Sequence, residues 1–158
     1  MVLAFLCAAL TISNLEPPKR PDLGLDWEVI DIRNANELKI RPTIHRADWP
    51  RWVRLYGIDV PQVNQRGYSG ARQDLELLLG RNADAYYEDE KKDHPVFRNA
   101  YYVGYIWAWG KLLEFELVRD GWAKVNDEGR KGRYGKFLVD AEDEARQAPR
   151  GIWAVARK

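Results

Sequence analysis

Residues 52–62 read Trp-Val-Arg-Leu-Tyr-Gly-Ile-Asp-Val-Pro-Gln, and the fold is decided by how this stretch is read. Aromatic, β-branched and aliphatic residues flank Arg54, which predicts a strand over residues 52–56. Gly57 closes it. Pro61 disfavours helix for Val60, so residues 58–62 are extended or turning. Towards the N-terminus, residues 27–32 (WEVIDI) alternate apolar and polar side chains, residues 33–36 (RNAN) break the pattern with turn formers, and residues 37–40 (ELKI) resume it. Residues 41–50 hold two prolines and predict a loop.

Towards the C-terminus the period changes. Ser69 is the expected N-cap of a helix that places Ala71, Leu75, Leu78 and Leu79 on one face, and Gly80 is its stop. Residues 82–87 predict a strand and residues 88–94 a charged, solvated loop. Residues 101–109 (YYVGYIWAW) are the most strand-like run of the chain, turned by Gly110 and Lys111. A helix over 112–119 ends near Gly121, residues 122–125 are extended, and residues 130–133 predict a mobile basic loop. The last helix covers 137–147, with Phe137, Leu138, Ala141 and Ala145 inward, and Pro149 and Gly151 end it. The order is three strands, a helix, two strands and two helices, which points to an α+β, mainly β architecture: a small closed barrel with packed helices.

Composition agrees. A chain of 158 residues, 46% of them apolar, is sized for one domain with a real core. Lys plus Arg number 25 against 24 Asp plus Glu, a net charge of +1, which excludes a histone-like polybasic binder and a polyacidic tail. Cys7 is the only cysteine, which excludes a disulfide scaffold and a cysteine-based zinc site. Residues 2–12 (VLAFLCAALTI) carry no charge and have the length of a signal-peptide core, too short to span a bilayer. Segment 1–15 is therefore a candidate signal peptide, or else an apolar segment packed on the domain. The first reading sends the protein to the periplasm or the medium, the second leaves it cytoplasmic. A lipoprotein anchor is disfavoured, because Phe5 and Leu6 precede Cys7 where small residues are needed. Segment 16–26 is a proline-rich linker, and 27–158 is the domain.

Four segments resemble the staphylococcal nuclease (thermonuclease) family. They are residues 53–62, residues 70–80, residues 116–125 (ELVRDGWAKV), and the closing Ala141-Glu142, Ala145-Arg146 and Gly151-Ile152-Trp153. They occur in family order. The resemblance implies a five-stranded OB-fold barrel with three helices, and an activity: calcium-assisted cleavage of DNA and RNA phosphodiesters. Such chemistry needs an oxygen-bound hard cation, a carboxylate that takes a proton from water, and arginines that bind the charge building on phosphate.

Carried over by resemblance, Arg54 matches the first arginine and Asp59 the metal-binding aspartate, while Val60 would offer its backbone carbonyl to the ion. The catalytic glutamate is replaced by Gln62, whose neutral amide accepts no proton near pH 7. Asn36 falls at a second metal carboxylate, and Glu37 is its neighbour and substitute if the turn is shifted. Tyr101 stands at the second arginine, and Arg98 replaces it only through a loop insertion. The expectation is a degenerate nuclease site, weak or inactive, on a monomer that binds single-stranded nucleic acid or a protein. The alternative is a calcium-dependent phosphodiesterase with a site rebuilt from Glu37, Asp59, Arg54 and Arg98. A purely structural module is the third class.

Blander readings accompany these. Arg54 and Asp59 are also a candidate local ion pair. His45 and His94 lack partners at diagnostic spacing and are expected to be solvated. Tyr101, Tyr102, Tyr105, Trp107 and Trp109 divide between core and stacking faces. Lys124, Arg130, Lys131, Arg133 and Lys136 form the one dense basic group, either a phosphate-binding rim or a solvated loop.

Overall fold

The computed structural model describes residues 15–21, 26–43, 50–80, 83–88, 96–98 and 101–154. The expectations for residues 2–12, His45, His94 and the body of the 88–94 loop lie outside the described residues, as does the side chain of Arg98.

Strands β1 (Asp26–Asn34), β2 (Glu37–Pro42) and β3 (Arg51–Leu55) form an antiparallel meander, followed by the short β4 (Ile58–Asp59) and helix α1 (Tyr68–Leu79). β5 (Asp84–Glu88), β6 (Val96–Arg98), β7 (Tyr101–Ala108) and β8 (Lys111–Leu112) come next. Helix α2 (Leu113–Arg119), β9 (Lys124–Val125), α3 (Asp127–Lys131) and α4 (Gly135–Gln147) complete the chain, with a 3-10 turn at Gly151–Trp153. The pairing runs β3-β2-β1-β5-β7, and β7 returns parallel to β3, so five strands close a ring as expected of an OB barrel. β6 and β8 lengthen β7, and β4 pairs with β9 outside the ring.

Alternation sets the core. Leu38, Ile40, Val53, Leu55 and Ile106 point inward and are buried, while Ala71, Leu75 and Leu79 bring α1 onto the same cluster. Helix α2 is buried from Leu113 to Val118, including Glu114 and Glu116, and packs between the barrel and α4.

Several expectations change. Ser69 is not the N-cap: Gly67 is, at φ 93°, and Ser69 lies inside the first turn without a capping bond. The turn after β7 is Trp109-Gly110 rather than Gly110-Lys111, with both residues at positive φ, as a two-residue hairpin loop requires. The Trp109 indole N–H donates to the Leu79 carbonyl at 2.9 Å, which holds this unusual residue in place. Residues 130–133 are not one loop: Arg130 and Lys131 end a helix, and Gly132 and Arg133 follow it. The chain folds there into α3, capped by Asn126, whose side chain accepts from the Gly129 N–H at 3.0 Å. Glu88 is no solvated loop residue but a buried end of β5, where it accepts from Trp107 Nε1 at 3.0 Å and Tyr134 Oη at 2.8 Å and pairs with Arg133. Residues 15–21 carry no helix or strand and are laid on the domain: Pro18 is buried, Leu15 packs on the core and Arg20 covers the Tyr86 ring.

Candidate active site

Along β2 and β3 every second side chain leaves the core. Leu38 and Val53 go in, so Glu37, Lys39, Trp52 and Arg54 go out. The register sets Glu37 opposite Arg54 and Lys39 opposite Trp52. Beyond Arg54 the chain turns at Gly57 and delivers Asp59 and Gln62 to the same end of the barrel. A cavity of about 400 Å3 results, lined among others by Asn36, Glu37, Arg54, Asp59, Gln62 and Asn126.

Its polar groups are engaged with one another. Glu37 Oε1 accepts from Arg54 Nε at 3.1 Å and from its terminal nitrogen at 2.5 Å, and Glu37 Oε2 accepts from Asn34 Nδ2 at 3.1 Å. The carboxylate side chain is 8% exposed and the guanidinium 39%, so the pair has one buried and one open end. Arg54 also lies over the Tyr101 ring, 4.9 Å from its centre. Gln62 Nε2 donates to the Val60 carbonyl at 3.1 Å, and Asn126 Nδ2 donates to Asp59 Oδ1 at 3.2 Å. The Asn126 that caps α3 thus also fixes Asp59.

This donor set can be tested against calcium, which takes six to eight oxygens, several of them anionic. Asp59 Oδ1 and the Val60 carbonyl each accept a side-chain amide N–H. Both Glu37 oxygens are bonded to cationic or amide nitrogens, and Asn36 brings a neutral side chain. No group of three His, Cys, Asp or Glu side chains able to hold a metal occurs among the described residues. The residues do not fit a strong calcium site.

A model of the staphylococcal nuclease homologues matches residues 52–155. The chain belongs to this family. A comparison with curated proteins returns no match. The matched segment starts at β3, so β2, which carries Glu37, and the β1–β2 turn, which carries Asn36, join it through the β2–β3 pairing.

In this staphylococcal nuclease homologue the residues singled out in the sequence divide into two sets. Asn36, Glu37, Arg54, Asp59 and Gln62 converge on one cavity, with the Val60 carbonyl at its edge and Tyr101 behind Arg54. The local Arg54–Asp59 ion pair is not formed: Arg54 takes Glu37, and Asp59 takes Asn126. Arg98 lies directly opposite Tyr101 in the antiparallel β6–β7 pairing. The basic group does not line the cavity. Arg130 and Arg133 are tied to Glu142 and Glu88, Lys136 to Asp140, and Lys124 sits over the Trp153 ring.

Two participants were not foreseen. Asn126 was legible as an Asn followed by two acids, a helix-start signal. Arg33 was not, because β1 has a register shift between Ile32 and Asn34 that upsets simple alternation. Its guanidinium stacks 4.1 Å from the Trp52 ring centre and donates to the Tyr101 hydroxyl.

Proposed function

We propose that this staphylococcal nuclease homologue has lost efficient calcium-dependent cleavage and works by binding, with single-stranded nucleic acid as its ligand and the monomer as its working form. One observation carries the reading. Gln62, at the position of the proton-accepting glutamate, turns its amide N–H onto the Val60 carbonyl. An amide cannot take a proton from water.

Loss of a positioned base typically slows a reaction about 10²- to 10⁴-fold, and loss of one preorganised charge stabiliser about 10²- to 10³-fold. Tyr101 at the second arginine's place adds that second loss. Arg54 stays partly open and is held rigidly by Glu37, which suits a phosphate contact without turnover.

The test is digestion of single-stranded DNA by purified protein with calcium, beside Arg54→Ala. Expected is no Arg54-dependent cleavage above background. A second reading, a phosphodiesterase with a rearranged site, draws on the convergence of Glu37 and Asp59 beside Arg54. Arg54-dependent cleavage at ordinary nuclease rates would establish that reading and end the first.

A further inference from the structure

Arg54 links the cavity to the outer face of the barrel. There Trp52 and Tyr101 stand edge to face, 6.5 Å apart, and three cations attend them. Arg33 stacks on Trp52, Lys39 lies 5.6 Å from the same ring, and Arg54 lies over Tyr101. Four of these five side chains follow from strand alternation and register; Arg33 is brought in by the irregularity of β1. The Arg33 guanidinium is held between an indole face and the Tyr101 hydroxyl, and its residue is exposed. A flat, pinned, solvent-facing cation on an aromatic ring loses little side-chain freedom when another flat group joins the stack.

We propose that this face is a base-stacking subsite: a base of single-stranded nucleic acid extends the Arg33–Trp52 stack, and the adjoining phosphate lies between Arg54 and Lys39. The inference rests on the binding reading above and names the surface that does it. Bases stack on arginine planes and on aromatic rings regardless of sequence, and cations beside the stack are complementary to a phosphate backbone. An acidic peptide would use the cations but not the flat faces. A duplex hides its bases. The occupant is therefore an unpaired strand, with little base preference.

The experiment measures fluorescence anisotropy of a labelled oligothymidylate with the full chain in EDTA, so that cleavage plays no part. An abasic strand of equal length and a duplex are the comparison probes. Expected is binding of the oligothymidylate with at least about ten-fold weaker binding of the abasic strand. Trp52→Leu should lose about ten-fold and Trp52→Phe should retain most affinity. Arg33→Gln, at an exposed side chain outside the core, should lose a similar factor and serves if Trp52→Leu fails to fold. Equal binding of the abasic strand, or unchanged affinity in Arg33→Gln and Trp52→Leu, overturns the subsite while leaving a non-cleaving binder standing. No binding of oligothymidylate at low salt overturns both. Calcium-dependent cleavage overturns the binding reading alone, since the EDTA measurement still judges the stack.

Discussion

Asp74 lies on the face of α1 that meets α2, and its Oδ2 is buried without a hydrogen-bond partner. Burial first, then the charges of Asp120 and Glu116, push its carboxyl up to about 6 from an ordinary 3.8, against the opposing pull of Arg119. The folded form therefore holds this proton more tightly than the unfolded chain. Its contribution to stability is complete below pH 4 and is lost as the pH rises through 6. Asp74→Asn should make the protein more stable at pH 7 by about 1 kcal/mol, after allowance for solvent screening, and flatten the pH dependence between 4 and 6. Urea unfolding of both proteins at pH 5 and pH 7 checks this, and a variant less stable at pH 7 would contradict it. At the same scale, Gln62→Glu should not restore nuclease activity, because Asn36, Tyr101 and the Asn126–Asp59 bond remain. Calcium-dependent digestion of single-stranded DNA by that variant is the check. Gln62, at the position the resemblance gives to the family's glutamate, is legible in the sequence itself. The new partners of the surviving groups were hidden, since Glu37 and Arg54 are seventeen positions apart and meet only through strand register.

Between elements, two contacts tie the helices to the barrel. Gly57, at φ 75°, and Gly129 approach so closely that a Cβ on Gly129 would lie 2.0 Å from the Gly57 carbonyl oxygen. Backbone cannot yield there as a flexible side chain would. The contact seats α3 against the turn after β3, and so sets Asn126 beside Asp59. Gly129→Ala should destabilise the fold by about 2 kcal/mol, in the ordinary range for overpacking, and lower the thermal midpoint accordingly. An unchanged midpoint would show that α3 is not fixed by this contact. The second contact is Glu88, which joins β5 to Trp107 on β7 and to Arg133 and Tyr134 before α4. Glu88→Ala leaves those donors without their acceptor, and equilibrium unfolding should show a loss of about 3 kcal/mol. The sequence disguised this residue. Glu88 opens a run of charged residues, and its burial is decided by tryptophan, tyrosine and arginine tens of positions away. The five barrel strands and three longer helices were legible because period and glycine stops are local. The short α3 was not, since two glycines and five charged residues across 127–133 look like loop until Asn126 caps them.

For the molecule as a whole, the near balance of charge limits how strongly any polyanion is held. The net charge is +1, and Arg130, Arg133 and Lys136 spend their charge on Glu142, Glu88 and Asp140. The basic count in the sequence thus overstates the cationic surface, because ion pairing is a property of the folded chain. What stays beside the cavity is the group of Arg33, Lys39 and Arg54, and Arg54 is already shared with Glu37. Of these, Lys39 and Arg54 meet the phosphate, and a protein that contacts a single strand through two cations releases few counterions. The logarithm of its affinity should fall with the logarithm of salt concentration with a slope of about −1.5, far shallower than for a polybasic binder. Lys39→Gln should reduce that slope by somewhat less than one, whereas Lys136→Gln, remote from the cavity and paired with Asp140, should leave it unchanged. Titrations of labelled oligothymidylate from 25 to 200 mM salt, roughly the range in which such slopes are read, decide the matter. A slope of about −3.5 or steeper, which five cations would give, would mean that the strand follows the Lys124 to Lys136 region instead, and the binding face would have to be moved to the helical side of the barrel.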